Sequence, residues 1–249
     1  MYYINSRMHI TDQEFDQEIG RICGENNKFK VGRVQIIKYI NIYGTEFEYV
    51  YEYLKWYSLK LNHIFSRENC QWYGVEYNFP NTSQSNKLMF NSGWIGIRNN
   101  MISLNENTLS FDFLFDQDNP FDKITTQQLE IIDSFFSSPL VRKKLFKNDC
   151  MKHTYNKCFE NSSAKFKFFG MFTDEGRILA SSQIVECDSE GKILTEQIPA
   201  PFIDKIKMAT EIGTNIQFVY QVDKILIKNI GEKNEYKLFL KIINLKYHK

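Results

Sequence analysis

The sequence predicts an α+β fold with largely antiparallel sheets and a few packed amphipathic helices. Three observations predict it: long stretches alternate apolar with polar residues, tight-turn sequences separate those stretches, and a few segments carry apolar residues at helical spacing. The 249 residues are 43% hydrophobic and 24% charged, a balance that supports a packed core and excludes a disordered tail.

Near the start, Thr11-Asp12-Gln13-Glu14 forms a capping box, in which hydroxyl and carboxylate each satisfy an orphan amide of the first turn. Phe15, Ile19 and Ile22 follow at helical spacing, and Gly24 with Asn26-Asn27 ends that helix. Val34, Ile36, Lys38, Ile40 and Ile42 then alternate as a strand, which Gly44 closes. A second capping box, Thr45-Glu46-Phe47-Glu48, predicts the clearest helix of the chain, because Phe47, Val50, Leu54, Leu61 and Ile64 trace one apolar stripe.

From Cys70 to Phe115 the period is two, most plainly in Leu109-Phe111-Phe113-Phe115, and turn residues at Pro80-Asn81-Thr82-Ser83 and Asn105-Glu106-Asn107 predict an antiparallel meander. The polar, acidic run Asp116 to Asp122 marks a boundary, giving an N-terminal lobe over 1–123 and a C-terminal lobe over 124–249.

Helices are predicted from Thr125 to Phe136 and from Pro139, at a first helical position, through Phe146. Strand-like runs follow at Phe166 to Phe172, Arg177 to Cys187 and Lys192 to Ile198, joined by Thr173-Asp174-Glu175-Gly176 and Asp188-Ser189-Glu190-Gly191. A short helix from Pro201 to Ile212 precedes two last strands, Ile216 to Asn229 and Tyr236 to Leu245.

The five cysteines are odd in number and irregularly spaced, against a secreted disulfide framework. With no signal-peptide core and no apolar run of ~18 residues, a cytoplasmic location without a membrane partner is the expectation. Aromatic residues reach 15%. Together with abundant Lys, Asn and Ile they follow A/T-rich codon usage, which suits a bacterium, its phage or a plasmid and a part in conflict between them. There is no Gly-x-x-x-x-Gly-Lys phosphate loop, dinucleotide fingerprint or His-Glu-x-x-His motif, and the four histidines stand in no recognisable relation to a nucleophile.

Charge is segregated. Glu106, Asp112, Asp116, Asp118, Asp122, Glu130 and Asp133 face only Lys123 across their stretch, and the sign then reverses. Arg142, Lys143, Lys144, Lys147, Lys152, Lys157, Lys165 and Lys167 interleave with Phe146, Tyr155, Phe159 and Phe166. Cations neutralise phosphates and rings stack on bases, so this stretch predicts a non-enzymatic binding protein whose partner is nucleic acid or a nucleic-acid-handling protein. The bland reading is a solvated basic face that balances the acidic stretch. The acidic stretch could in turn imitate phosphates, or be an ordinary acidic loop.

Two further classes compete. Asp174 with Glu190-Gly191-Lys192 supplies the letters of a PD-(D/E)XK nuclease, in which carboxylates hold Mg²⁺ and the lysine positions water; Glu190, however, falls in a predicted turn. Glu186 and Asp188 are the alternative pair. No cofactor is expected unless that nuclease reading holds. Cys150, His153 and Cys158 supply three ligands where structural zinc takes four, so no metal centre is predicted. The last class is an assembly protein whose aromatic faces pack against copies of itself.

Overall fold

The computed structural model describes residues 34–40, 47–79, 87–98, 101–116, 118–146, 153–168, 170–172, 178–180, 182–194, 201–230 and 233–249. Its first strands are β1 (Val34–Ile40), β2 (Phe47–Glu52), β3 (Leu59–Arg67), β4 (Cys70–Tyr77), β5 (Leu88–Gly96), β6 (Ile102–Asn105) and β7 (Ser110–Leu114). Two helices follow, α1 (Lys123–Ser137) and α2 (Pro139–Phe146). Then come β8 (His153–Asn156), β9 (Phe159–Glu160), β10 (Ser163–Phe168), β11 (Gly170–Phe172), β12 (Ile178–Ala180) and β13 (Gln183–Glu186). Helix α3 (Phe202–Ala209) leads into the long strands β14 (Asn215–Ile230) and β15 (Lys233–His248).

The class is α+β, and the pairing is largely antiparallel. β14 and β15, 16 residues each, pair antiparallel from end to end and form the spine of a 13-stranded sheet. On the outer edge of β14, β5 pairs with residues 215–222 and β4 with residues 224–228, so the two lie in tandem. On the outer edge of β15, β8, β10 and β13 lie in tandem too, each parallel to it. This arrangement corrects the predicted meander. β6–β7 is a hairpin of the kind expected, and β3–β4 is another whose first strand lies in the segment predicted as helix. Among the described residues, however, β4, β5 and β6 are not paired with one another: β4 and β5 each pair with β14, over a hundred residues later, and β7 pairs with β10.

The predicted helix opening at Thr45 is the second correction. Residues 47–52 and 59–67 are strands, joined through a short 3-10 turn at Trp56–Ser58. The segment is crowded with Phe47, Tyr49, Val50, Tyr51, Tyr53, Trp56 and Tyr57, which lose rotamer freedom in a helix and pack well on a pleated surface. Nor does the apolar stripe form one face: Leu54 is buried in the core and Leu61 packs against it, whereas Ile64 is 45% exposed. The first predicted helix, before residue 34, lies outside the described residues.

β1, α1, α2, α3 and the β14–β15 hairpin fall where the sequence places them. Helix α1 buries Leu129, Ile132, Phe135 and Phe136 on one face of the sheet. Polar bonds fix its register: Thr125 donates to the Ser92 carbonyl at 2.8 Å and Gln128 to the Asn91 carbonyl at 2.9 Å, and Tyr220 donates to Gln128 at 3.0 Å. Tyr236 donates to the Phe136 carbonyl at 2.7 Å. The Ser138 hydroxyl then accepts from the Val141 amide at 3.3 Å, which caps α2, with Pro139 at its first position as predicted.

One core runs beneath the sheet, with Val34, Phe90, Phe111, Phe113, Phe136, Phe166, Phe218, Tyr220 and Leu240 all in it. It draws on both sides of residue 123, and two lobes are not shown. The acidic run between the helices and β7 is tied down: Arg98 donates at 3.0 Å both to Asp116 and to the fully buried Asp122, whose carboxylate also accepts from the Asp116 amide. Burial raises the Asp122 pKa, and the Asp116 amide and Arg98 oppose it. No helix among the described residues is long and apolar enough to cross a membrane.

Candidate nucleic-acid interface

The predicted basic set divides between the two faces of the sheet. On α2, which lies on the core side, Lys143 is exposed while Arg142 and Lys144 are half-buried. Lys144 donates to the Trp56 and Tyr57 carbonyls at 3.1 and 3.3 Å, so it closes the 3-10 turn, and burial lowers its pKa. The Arg142 Nε is buried and has no hydrogen-bond partner. Lys157 is exposed in the link between β8 and β9. Lys147 and Lys152 lie outside the described residues. The structure therefore does not bring α2 and the later lysines into one groove.

Lys165 and Lys167 belong to a different surface. On β10, Ala164, Phe166 and Phe168 point into the core, so strand alternation sends Lys165 and Lys167 to the opposite face. β15 repeats the pattern: Tyr236, Leu238, Leu240 and Ile242 are buried, and Lys237, Phe239 and Lys241 alternate with them. Register supplies the rest, since Phe166 pairs with Leu240 and Lys167 with Lys241, while Phe239 pairs with Lys224 and Lys237 with Leu226.

Rings and ammonium groups interlock on this face. The Lys167 and Lys237 Nζ atoms stand 5.0 and 5.2 Å from the Phe239 ring centre. Phe239 lies 5.1 Å from Trp72, and Trp72 stacks with Phe65 at 5.7 Å and 21°. Trp72 belongs to β4 and reaches across β14 to do so, leaving Leu226 beneath it 5% exposed. Phe65, at the end of the row, is 44% exposed.

The lysines crowd one another. The Lys167 ammonium is held below the ordinary lysine value, first by burial and then by Lys165, Lys237 and Lys224. Lys241 is lowered too, by burial first, with Lys224 and Lys87 adding to it and Asp223 opposing. Among the described residues Lys167, Lys224 and Lys237 form no ion pair, whereas Lys165 meets Asp112 at 3.5 Å and Lys241 meets Asp223 at 3.8 Å. Like charges at this range repel, so an anion entering the face relieves an unfavourable arrangement.

Of the residues on this face, the sequence reading includes Lys165 and Lys167, sets Trp72 aside as a packed sheet residue, and does not single out Lys224, Lys237, Phe65 or Phe239. The signal for part of it was there, in the alternation of Lys237, Phe239 and Lys241 with apolar residues. Which strands lie side by side was not legible.

The other candidates are placed as follows. Glu190 and Lys192 sit exposed around the turn after β13, whose Asp188 carboxylate accepts from both of their amides at 3.0 and 2.9 Å. Asp174 lies outside the described residues, as does Cys150. His153 stacks on Phe146 at 3.5 Å and bonds Asn234, and Cys158 lies beside Asp133 with its thiol pKa pushed well up, chiefly by burial. Among the described residues no group of three His, Cys, Asp or Glu is placed to hold a metal ion. The acidic stretch is largely engaged internally, through Glu106–Lys207, Asp112–Lys165, the Arg98 clamp and a buried Asp133.

No protein-family model matches the chain, and no curated protein matches it either.

Proposed function

We propose that the chain is a nucleic-acid-binding protein that holds a phosphate backbone on the sheet face built from β4, β14, β15 and β10. One observation carries the reading: the Lys167, Lys224 and Lys237 ammonium groups cluster there with no carboxylate paired to them among the described residues. Lys165 and Lys241 flank the cluster. Their pairs with Asp112 and Asp223 are long, and exposed pairs of the first kind contribute only about 0–1 kcal/mol, so Lys165 can exchange its partner for a phosphate.

Electrostatic neutralisation releases counterions, which makes affinity fall with salt by a slope of about 0.7 per contacted phosphate on a single strand. Replacing Lys224 and Lys237 together by Gln is expected to flatten the log–log slope by about 1.4 and to weaken binding at every salt concentration. Fluorescence anisotropy of a labelled mixed-sequence oligonucleotide measures both. Lys143→Gln, on the far side of the sheet, is the control and leaves the slope unchanged. A wild-type protein that does not bind the oligonucleotide, or a Lys143 variant that loses as much as the double variant, overturns the assignment.

A further inference from the structure

We infer that the ligand of this face is single-stranded, with a base stacked on the outer face of Phe65 so as to extend the row Phe65–Trp72–Phe239, and with its phosphates following Lys224, Lys237 and Lys167. The inference rests on the nucleic-acid reading above and deepens it.

The row has a direction. Phe65 and Trp72 stack at 21°, and Trp72 meets Phe239 at 37°, so each neighbour covers the inner face of the next. Phe239 is met by the Lys167 and Lys237 ammonium groups as well as by Trp72. The end left open is Phe65, 44% exposed on β3, beyond which no further strand pairs among the described residues. A planar π-system added there continues the stack. Aromatic rings accept any base this way, because every base has a π-face.

The lysines set the course of the backbone. In the sheet, β3, β4, β14, β15 and β10 are successive neighbours, so Phe65, Trp72, Lys224, Lys237 and Lys167 are met in that order across the strands. The row from Phe65 runs through Trp72, Leu226 and Lys237, whereas Lys167 pairs with Lys241 further along β15. With strands about 4.8 Å apart and ~3.3 Å per residue along them, Phe65 and Lys167 stand ~19 Å apart across the strands and ~13 Å along them, ~23 Å in all. A chain of a few nucleotides spans that distance while one terminal base reaches the ring. A duplex does not fit the same geometry, since its bases are already stacked on both faces and present only their edges in the grooves. An acidic protein segment matches the lysines but gains nothing from an exposed phenyl ring beyond ordinary apolar contact.

The experiment compares probes of different chemistry on the same proteins. A labelled oligothymidine of about ten nucleotides, the matching duplex, inorganic polyphosphate and poly-glutamate are titrated against wild type, Phe65→Ala, Phe65→Trp and Lys224→Gln/Lys237→Gln. Phe65 is a surface residue, so its variants are expected to fold; circular dichroism verifies it.

The expected result is that Phe65→Ala weakens oligothymidine binding about tenfold, leaves polyphosphate binding unchanged, and is rescued by Phe65→Trp. The wild type prefers the single strand to the duplex. Duplex binding as tight as single-strand binding, equal competition by poly-glutamate, or oligothymidine binding indifferent to Phe65→Ala overturns the inference. If binding is indifferent to the ring but lost with the lysines, the nucleic-acid reading stands and only the single-strand inference fails; if oligothymidine and duplex both fail to bind wild type, both fall.

Discussion

Phe218→Ala is expected to lower the unfolding free energy by about 3–5 kcal/mol, the range for removing a phenyl ring from a core that cannot close over the gap. Phe218 is fully buried at the centre of the molecule, with its ring 5.1 Å from Phe166, 5.8 Å from Tyr220, 6.2 Å from Phe111 and 6.3 Å from Phe113. These neighbours come from β7, β10 and β14, so the ring joins strands far apart in sequence. Collapse is prevented by the backbone around it. The Phe218 amide donates to the Ser92 hydroxyl at 2.9 Å, at the irregularity where β5 and β14 shift register next to Gly93, whose φ is +72°. Both flanking strands are held by hydrogen bonds on each side, and the void stays open. Urea denaturation checks the figure through a lower midpoint at unchanged slope. Phe121→Ala provides the contrast: that ring is 66% exposed, and its removal is expected to change stability by less than about 0.5 kcal/mol. A Phe218 variant as stable as the Phe121 variant would mean that the aromatic cluster does not organise the core.

The same cluster explains which parts of the fold could be read from the sequence. Helix α1 was legible because Leu129, Ile132 and Phe136 recur at helical spacing and also face the core, so local pattern and tertiary packing agree. The β14–β15 hairpin was legible because both segments are rich in β-branched and aromatic residues on either side of Gly231, even though register shifts at Val219/Tyr220 and Val222/Lys224 interrupt the alternation. The stretch from Thr45 to Ile64 was misread because a capping box and an i, i+3, i+4 count outweighed the run of tyrosines and tryptophan between those positions. Capping residues contribute about 1 kcal/mol at one end, while strand pairing recruits the whole segment. The meander was misread for another reason. Alternation identifies strands but not neighbours, and here β4 and β5 each find a partner in β14.

The interface follows the same division. Lys165 and Lys167 were singled out from charge run alone, and the structure sets them beside Lys224 and Lys237 through the β10–β15 and β14–β15 registers. Charge segregation along the chain was a poor guide to charge in space, because residues in one run alternate between faces or sit on different elements. Lys144 illustrates it: a member of the basic run, it closes a turn of backbone carbonyls more than eighty residues earlier.

Asp133 illustrates it for the acidic run, and the loss of its carboxylate is the second large effect expected. Asp133 is 6% exposed on α1 and accepts three hydrogen bonds, from the Tyr155 hydroxyl at 2.6 Å, the Cys158 amide at 2.9 Å and the Phe159 amide at 3.0 Å. Those donors span the link between β8 and β9, so one side chain pins that segment to the helix. The Tyr155 phenol and the Cys158 thiol are both pushed well up, by burial first, then for Tyr155 by Cys158 and Asp133 and for Cys158 by Asp133, which keeps the Tyr155 hydroxyl a donor. Asp133→Ala leaves two backbone amides and a phenol without an acceptor in a buried place. At about 1–3 kcal/mol for each orphaned donor, and with some relief from local opening, the variant is expected to lose about 3–5 kcal/mol. Asp133→Asn keeps the oxygen that serves Tyr155 and Cys158 but turns an amino group toward the Phe159 amide, and an intermediate loss of about 1–3 kcal/mol follows. Denaturation ranks the variants, and amide hydrogen exchange locates the damage. Protection at Cys158 and Phe159 should fall in Asp133→Ala well before that of β14. An alanine variant that keeps both amides protected, or a loss below about 1 kcal/mol, would show that the segment is held by its apolar contacts alone.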